Sequence, residues 1–313
     1  FDELGFDKYH KNYDRIVQLM QHQTISGTVE TEPSMPAVTG PELQKLYGNN
    51  FKYIVPSSWN NPHALKHGDK IILQPGNYMG EQAPHLFSLK MVHGTREGLR
   101  DMNSIMLSKS VAVALFGNED PLGKMIRVQN QVDVKVSGVY EDLPDNTTLY
   151  GVKFIMPWEL YLSRNKWIGE MKKPWDSNFT QLFAQVADNV NVALLSVKIR
   201  DVKLNKVSEE ERRFKAALFL QPMSKWHLYS NFKNGLNTGG QIETVWMFAI
   251  IGIFVLLLAC INFMNLSTAR SEKRAKEVGI RKTLGSERRQ LVTQFFSASL
   301  MIAFIAFVIS LIL

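Results

Sequence analysis

Cysteine is almost absent from this chain of 313 residues, in which Cys260 is the only example. A lone cysteine excludes an intrachain disulfide, so core burial must hold the folded part together. Charged residues are absent from residues 244–269 and again from residues 291–313. A helix needs roughly 20 apolar residues to cross about 30 Å of hydrocarbon, and both runs reach that length. The sequence therefore predicts a membrane protein, with Cys260 as a small packing residue inside the first membrane helix.

Basic residues are in excess mainly in one short segment. Residues 270–289 contain eight Lys and Arg against three Asp and Glu, an excess of five within the chain's net charge of +7. Short loops rich in Lys and Arg stay on the cytoplasmic side of a membrane. We therefore predict that this segment is cytoplasmic and that residues 1–240 lie on the opposite side. The nearly balanced remainder lacks the basic stripe that a nucleic-acid-binding domain needs, so no nucleic-acid partner is expected.

Motifs for catalysis and for nucleotide binding are missing. The sequence has no Gly-x-Ser-x-Gly elbow, and its one thiol lies in an apolar run. A phosphate-binding loop needs four residues between its glycines and a Ser or Thr after its lysine. Here five residues separate Gly117 from Gly123, and Met125 follows Lys124. The sequence predicts neither enzyme activity nor a bound cofactor in this chain.

His63 and His67 have a spacing that is typical of metal ligands. Four residues apart on a helix, their imidazoles would share one face, as in zinc sites. Pro62 and Gly68 bracket the pair, however, and no third ligand accompanies it. We therefore favour ordinary histidines over a metal site.

Residues 1–240 mix strand-like and helix-like patterns, and a hydrophobic content of 45% for the chain is enough for a core. A strand or hairpin is predicted for residues 24–32, and strands are predicted for residues 51–55, 70–74, 87–92, 102–107, 125–128, 132–140, 153–157, 180–187 and 216–222. Helices are predicted for residues 41–47, 108–116 with Ser108 as the N-cap, 158–162 and 191–213. The mixture indicates an α+β (mixed α/β) domain rather than a sandwich or a helix bundle.

The two ends of this domain are harder to interpret. Tyr9, Tyr13, Ile16 and Met20 follow helical spacing, which predicts an amphipathic helix over residues 6–20 that passes into a strand near Ile16. Residues 226–240 are rich in Gly and Asn and are predicted to form the approach to the membrane.

The cytoplasmic segment has a specific order of residues. In Glu-Lys-Arg-Ala-Lys-Glu-Val-Gly-Ile-Arg-Lys, acids precede bases by four positions, as in Glu277 and Arg281, which supports a helix. Val278 and Ile280 give this helix an apolar edge, and Gly279 allows a close backbone approach or a turn. The pattern predicts a short helix that presses against a partner protein. A loop that only sets topology is the alternative, although it would not need this order.

Several motifs resemble a known family. The motif Glu-x-Arg-x-x-Glu-Val-Gly-Ile-Arg-Lys-x-x-Gly, followed by Gln294-Phe295, resembles the signature of FtsX-like ABC transporter permeases. The preceding part is similar to the MacB-type periplasmic core domain. That similarity is carried by Asp-Lys-Tyr-His-Lys-Asn from Asp7, Phe-Ser-Leu-Lys-Met-Val-His-Gly from Phe87, Leu-Phe-Gly-Asn-Glu-Asp-Pro-Leu-Gly-Lys ending at Lys124, Glu-Asp-Leu-Pro ending at Pro144, and Trp-His-Leu-Tyr-Ser from Trp226.

The resemblance implies a domain organisation. Residues 1–240 would form a periplasmic core domain with a porter-like subdomain (residues 1–87 and 176–240) and an inserted β-rich subdomain (residues 88–175). A transmembrane helix would follow at residues 243–268 and a cytoplasmic coupling loop or helix at residues 269–290. Residues 291–313 would begin a next transmembrane helix that this sequence cuts short, and a further membrane helix is expected upstream.

The resemblance also implies a permease of the inner (cytoplasmic) membrane, with its large domain in the periplasm. An ABC ATPase subunit would use ATP and Mg, and a second permease copy or half would complete a dimer. Movement of the ATPase would change the shape of the periplasmic domain and export a substrate, with a periplasmic adaptor and an outer-membrane channel as further partners. The residues expected to contact the ATPase are Glu272, Arg274, Glu277, Val278, Gly279, Ile280, Arg281, Lys282 and Gly285.

Two other functions remain open for the same architecture. One is an FtsX-like regulator that activates a periplasmic cell-wall hydrolase without transport, and the other is a permease that extracts lipoproteins from the membrane. A cleft lined by Met and Phe would favour apolar cargo, and an exposed helix pair would favour the regulator. An enzyme with a membrane anchor is disfavoured because no catalytic motif is recognised.

Overall fold

A computed structural model describes residues 3–283 and 288–312 of the chain. The chain divides into two compact units, Phe1–Val245 and Trp246–Leu313, and we call the first the N-terminal domain. Its strands are β1 (Ile16–Ile25), β2 (Thr28–Glu32), β3 (Phe51–Ser57), β4 (Asn61–His67), β5 (Lys70–Met79), β6 (Met91–Gly94), β7 (Ser104–Ser108), β8 (Met125–Val128), β9 (Val132–Tyr140), β10 (Phe154–Pro157), β11 (Gln181–Val186), β12 (Ala217–Pro222), β13 (Asn231–Lys233) and β14 (Leu236–Gly239). Its helices are α1 (Thr39–Tyr47), α2 (Ala83–Leu86), α3 (Lys109–Phe116), α4 (Trp158–Arg164), α5 (Val192–Ile199) and α6 (Glu209–Arg212). The predicted mixed α/β class is confirmed.

Six strands of this domain close into a ring. β5 pairs with β4 and β10, β10 with β7, β7 with β9, β9 with β8, and β8 with β4. Apolar side chains that point inward fill the ring, among them the fully buried Leu65, Ile105, Val134 and Phe154. β4 and β5 belong to the ring although they precede residue 88, where the predicted β-rich insertion begins. The subdomain boundaries stay a prediction.

The other half of the domain is an open antiparallel sheet in the order β3–β11–β1–β12, in which β2 pairs with the second half of β1. α1 and α5 cover one face of this sheet through Leu43 and Leu195, which pack with residues of β1 and β11. α2 and Phe87 pack against the other face, at Val55. Both faces are therefore buried, and such strands are apolar at most positions instead of alternating.

Burial on both faces explains one wrong prediction. Ile16, Val17, Leu19 and Met20 of β1 are all buried. A short run this apolar cannot be separated from a buried helix by its spacing. The strand near Ile16 is confirmed, whereas the helix predicted before it is wrong because residues 6–15 form turns.

Helix α3 begins where the sequence predicts, but the side chain of Ser108 does not cap it. Asp142 takes that role, because its carboxylate accepts hydrogen bonds from the hydroxyl and the backbone N–H (2.9 Å) of Ser110. Partial burial raises the pKa of Asp142, but the hydrogen bonds from Ser110 and the charge of Lys153 outweigh it and hold that pKa below its ordinary value. The turn after β9 is thereby fixed to α3.

The prediction of one long helix over residues 191–213 is also wrong in part. This segment contains two helices, α5 and α6, which are separated by turns at residues 200–208. Within these turns Lys203 is buried and its Nζ donates a hydrogen bond to Oε1 of Gln21 (2.6 Å). A straight helix would continue past this anchoring point, so the chain bends where Lys203 turns inward. The charged run in α6 is exposed, as predicted.

Two long helices follow the N-terminal domain: α7 (Gln241–Thr283) and α8 (Arg288–Ile312). Within α7, Gln241–Ala269 has 29 residues and a mean hydropathy of 2.7, and within α8, Val292–Leu311 has 20 residues and a mean hydropathy of 2.1. Both are long and apolar enough to cross a membrane. The helical character of both predicted membrane segments is confirmed.

Candidate functional site

The segment that the sequence assigns to a partner contact is a continuation of α7. The helix runs without a break from the apolar span to Thr283, so this segment is not a separate short helix as predicted. Gly285 lies outside the described residues. The helical backbone keeps Glu277 and Arg281 about one turn apart, as their predicted pairing requires. The other charged residues of the predicted contact that lie on this helix are Glu272, Arg274 and Lys282.

Small and apolar residues interrupt the charges on this part of α7. Ile280 is 58% exposed, and Val278 is partly buried. Gly279 is helical, so the turn considered for it does not occur here. A Cβ at Gly279 would meet no atom within 4 Å in the described part of the chain. The backbone at Gly279 can therefore be approached closely by another molecule.

Residues 226–240, which we call the joint, connect β12 to α7. These residues are folded. β13 and β14 form a hairpin whose tip residues, Asn234 and Gly235, have positive φ angles of 51° and 75°. Asn-Gly in this conformation is the favoured turn for a two-residue hairpin, because its twist matches that of the strands. The sequence contained this signal, and the prediction overlooked it.

Aromatic side chains anchor the joint to the open sheet. The ring of Phe232 packs against His22 and Phe219, with centroid distances of 6.2 and 5.9 Å. Trp226 is buried, and its Nε1 donates to the carbonyl of Gln221 on β12 (2.9 Å). The joint is therefore packed against the N-terminal domain, and Trp226 is part of that domain's core.

The first turn of α7 is attached to the joint by its backbone. The N–H of Ile242 donates to the carbonyl of Leu228 (3.2 Å). Gly240, which precedes the helix, has a φ of 145°, and a Cβ there would lie 2.9 Å from the same carbonyl oxygen. Only glycine fits such a conformation and such a close approach. The beginning of α7 is therefore in direct backbone contact with the joint.

The N-terminal segment lies against the joint as well. Phe6 stacks on His227 with ring centroids 3.7 Å apart and planes inclined by 8°. The carboxylate of Glu3 contacts Nε2 of the same imidazole. The segments that enter and leave the N-terminal domain are thus held together.

A buried polar network fixes the same N-terminal segment to the loop after β9. The carboxylate of Asp7 accepts hydrogen bonds from the hydroxyl of Thr147 and from the backbone and hydroxyl of Thr148, each 2.7 Å long. His10 contacts the hydroxyl of Thr147 at 3.0 Å and the carbonyl of Phe87 at 2.7 Å. Burial lowers the pKa of His10, and the Phe87 carbonyl and Asp7 only partly offset this. Asp7, His10 and Phe87 come from two of the motifs that carried the family resemblance, and their contacts are structural.

The pair His63 and His67 lies on a strand, β4, and not on a helix. The ring of His63 packs against Tyr78 and Phe154, and burial lowers its pKa. Nδ1 of His67 is 2.9 Å from the carbonyl of Met125. No cluster of three His, Cys, Asp or Glu side chains that could hold a metal occurs in residues 3–283 and 288–312.

A cleft of about 1020 Å³ opens between α1, β3 and α4, and no sequence pattern predicted it. Its apolar lining includes Ala37, Ile54, Pro56, Trp158 and Ile168, and its charged lining consists of Lys52, Glu81, Glu159, Lys166 and Glu170. No Met or Phe lines it in the described structure, so it lacks the character that would favour apolar cargo.

An α/β domain followed by two long apolar helices indicates a class: membrane proteins with a large folded domain outside the bilayer. Residues 4–202 match the MacB-like periplasmic core domain, and residues 249–313 match the FtsX-like permease C-terminal region. The chain belongs to the MacB/FtsX-like family of ABC transporter permeases, which confirms the resemblance seen in the sequence.

Relatives of the chain are distant. It is 24% identical over 223 residues to the uncharacterized ABC transporter permease YvrN of Bacillus subtilis, covering 69% of this chain and 51% of that protein. It is 25% identical over 296 residues to the macrolide export ATP-binding/permease protein MacB of Haemophilus ducreyi, covering 82% of this chain and 39% of that protein. The chain thus spans about half the length, or less, of these relatives.

A solved structure shares the fold. The crystal structure of a domain assigned to a permease protein of Porphyromonas gingivalis superposes with a TM-score of 0.55 at 17% identity, covering 75% of this chain and 98% of that domain.

Proposed function

We propose that this chain is the permease part of an ABC transporter in the inner membrane. ATP hydrolysis, with Mg, takes place in a partner ATPase subunit or domain, and the N-terminal domain changes shape in the periplasm as a result. The name of the MacB relative, a macrolide export protein, supports export of a substrate as the output. A second permease copy completes the cavity, and a periplasmic adaptor and an outer-membrane channel receive the substrate.

One observation carries this proposal: α7 is a single helix from the joint to residues 270–283, which we call the charged segment. Its 43 residues correspond to about 65 Å at 1.5 Å per residue, which exceeds the thickness of a bilayer. Its first turn is hydrogen-bonded into the joint through Ile242. A helix with unbroken hydrogen bonds transmits displacement along its axis, so movement at the charged segment is delivered to the N-terminal domain.

The charged segment is the proposed contact with the ATPase. Charge pairs across an interface fix partner choice and register, which suits Glu272, Arg274, Glu277 and Arg281. Gly279 offers close backbone approach, and exposed Ile280 offers apolar area. Val278, Lys282 and Gly285 complete the contact in this proposal.

Crosslinking tests the contact directly. A photoreactive amino acid replaces Ile280 in the full-length membrane protein, and captured proteins are identified by mass spectrometry. We expect an ABC ATPase to be captured. The matched control replaces Leu236 of β14, which is 72% exposed, and should not capture the ATPase. Failure at position 280, or equal capture at both positions, would contradict the assignment.

Charge reversal tests the coupling. Glu277→Lys and Arg281→Glu in the full-length protein should reduce transport per ATP hydrolysed by about tenfold or more, because each leaves a partner charge unpaired. Glu30→Lys on β2 is a charge reversal of the same kind in the N-terminal domain and should leave coupling unchanged. Normal coupling in both the Glu277→Lys and the Arg281→Glu variant would refute the proposed contact.

Substrate dependence separates export from the two alternatives. An exporter should show ATPase activity that rises with a soluble periplasmic substrate. A hydrolase regulator should respond to its hydrolase partner instead, and a lipoprotein-extracting permease should respond to acylated protein.

A further inference from the structure

The edge of β3 that faces the cleft is unpaired at Ile54. β11 opposes Ile54 with Ala184 and Pro56 with Leu182. On the opposite edge, the Pro56 carbonyl accepts a hydrogen bond from the N–H of Gly80 (3.0 Å). Because polar groups of alternate residues face the same edge of a strand, the N–H and C=O of Ile54 also point away from β11, toward the cleft. Neither group has a hydrogen-bond partner in the part of the chain that the structure describes.

The chain itself keeps this edge open. β3 and β5 pair only at Ser57 and Met79, after which the chain leaves β5 and enters α2. Pro56 has no N–H, and it is tolerated here because its nitrogen faces the same edge. A neighbouring strand needs a spacing of about 4.8 Å, and the cleft lies where that strand would run.

One end of the cleft is acidic. The parallel pairing of β10 with β5 places Pro157 beside Met79. Glu81 lies two residues after Met79, and Glu159 lies two residues after Pro157. Both therefore follow the same end of two adjacent parallel strands, and both side chains are exposed in the cleft. No ion pair of either carboxylate is present among the described residues. Exposed carboxylates without a counter-ion can each pair with a basic side chain.

We propose that the cleft binds an extended peptide segment of another protein. The segment adds as a strand to β3 at Ile54 and places a basic side chain between Glu81 and Glu159. Backbone hydrogen bonds supply affinity in this mode, and pockets for alternate side chains supply specificity. The apolar lining at Trp158 and Ile168 takes the neighbouring side chains. Lys52 and Lys166 also line the cleft, so the acidic pair, and not the cleft as a whole, selects the basic residue.

A peptide panel tests the proposal on the full chain in lipid nanodiscs, without nucleotide. The probes are fluorescein-labelled hexapeptides of Val and Thr that carry one Arg at each position in turn, and binding is measured by fluorescence anisotropy. We expect at least one member to bind. Replacing its Arg by Glu, or methylating the backbone nitrogen that pairs with Ile54, should weaken binding by about tenfold or more. Absence of binding by every member would overturn the proposal.

Variants of the protein locate the binding site. Ile54→Pro removes the free N–H, and Glu81→Gln combined with Glu159→Gln removes the charges. Each should weaken binding of the best peptide by about tenfold or more. Glu30→Gln, on the exposed β2, is the matched control and should bind as the wild type does. Equal binding by wild type, Ile54→Pro and the double variant would overturn the site. So would equal binding of the N-methylated peptide, which would indicate that the cleft takes apolar molecules by their surface alone.

Peptide binding is independent of the ATPase contact. Glu277→Lys should keep its peptide affinity even where coupling is lost. Failure of the peptide site and failure of the proposed permease mechanism are therefore separate results.

Discussion

The two edge strands of the open sheet, β12 and β3, differ in whether their outward-facing backbone groups have hydrogen-bond partners. At β12, the N–H of Leu218 donates to the carbonyl of Arg200 (2.8 Å), and the N–H of Leu220 donates to Oγ of Ser196 (3.0 Å). α5 and the turn after it thus cover this edge. At β3, the N–H and C=O of Ile54 face the cleft without a partner among the described residues.

This difference separates a structural edge from a binding edge. An open edge is a liability, because it can pair with any extended chain, and proteins restrict it with proline and lysine. Pro56 and Lys52 stand on either side of Ile54 at the cleft. These two residues restrict pairing at the open edge, which lies inside the cleft. A short edge inside a cleft can take one added strand, whereas a longer exposed edge would promote aggregation.

A substitution that disrupts the covered edge at β12 should have the largest effect on the free energy of unfolding. Leu220→Pro removes the N–H that Ser196 accepts, and it also removes a side chain that is 5% exposed. We expect a loss of roughly 4 kcal/mol in the free energy of unfolding. Denaturant unfolding of the full chain in detergent, followed by tryptophan fluorescence, measures it. Leu220→Ala removes only the side chain, and its cost should be lower by about 1 kcal/mol. Equal losses would mean that the edge hydrogen bond contributes nothing.

The turn that covers the edge of β12 extends to Lys203. The free energy of unfolding should therefore depend on pH through this side chain. Lys203 is 1% exposed, and its Nζ donates to Gln21 (2.6 Å) and Asn178 (2.7 Å). Burial lowers its pKa to about 8, although the carboxylates of Glu32 and Glu211 act in the opposite direction. In the unfolded chain this pKa returns to about 10.4.

Between these two pKa values the unfolded chain binds more protons at Lys203 than the folded chain does. The contribution of Lys203 to stability therefore rises with pH across this interval. Relative to Lys203→Met, the wild type should gain about 2 kcal/mol in the free energy of unfolding between about pH 7.5 and about pH 10. The comparison with the variant cancels other titrating groups, such as the buried tyrosines. A difference that stays flat with pH would show that burial does not lower the pKa of Lys203 and that its ammonium stays charged in the folded chain.

The sequence predicted the strands that form these edges, but not which edge is open. Short strand-like runs indicated β12 and most of β3, because that pattern is local. Whether Ile54 finds a partner depends on pairing with β11, about 130 residues away, and on the exit of β5 into α2. β4 was missed because Asn-Pro-His-Ala-Leu-Lys-His has no β-branched residue, and pairing with β5 and β8 overrides its weak preference.

The candidate site shows the same division between local and distant information. The apolar span and the charged segment of α7 were predicted, because length and charge are local properties of a membrane helix. The turn at Asn234 and Gly235 was equally local and was overlooked. The network of Asp7, His10 and Thr147 could not be derived, because its partners are about 140 residues apart and meet only in the folded chain.

A smaller change on the covered edge sharpens the comparison. Ser196→Ala leaves the N–H of Leu220 without its acceptor, so the free energy of unfolding should fall by about 1 kcal/mol. Hydrogen exchange at the amide of Leu220 should accelerate by about fivefold. Ser163→Ala on α4 is the matched control, because that hydroxyl bonds only to Leu160 of its own helix and covers no strand edge. An unchanged exchange rate at Leu220 would show that solvent or another group satisfies this edge.

The smallest effect on stability should come from Ile54→Pro at the open edge. The N–H that proline removes has no acceptor among the described residues, and Tyr53 before it is already in a strand, as proline requires. We expect a loss below about 1 kcal/mol by the same unfolding measurement. Val55→Pro, one position further, is the matched control: its N–H faces β11 opposite Phe183, and its side chain is fully buried. That variant should lose about 3 kcal/mol or more. If Ile54→Pro costs as much as Val55→Pro, the amide of Ile54 is already in use and the edge is closed. A small cost together with lost peptide binding would show that this amide serves recognition and not the fold.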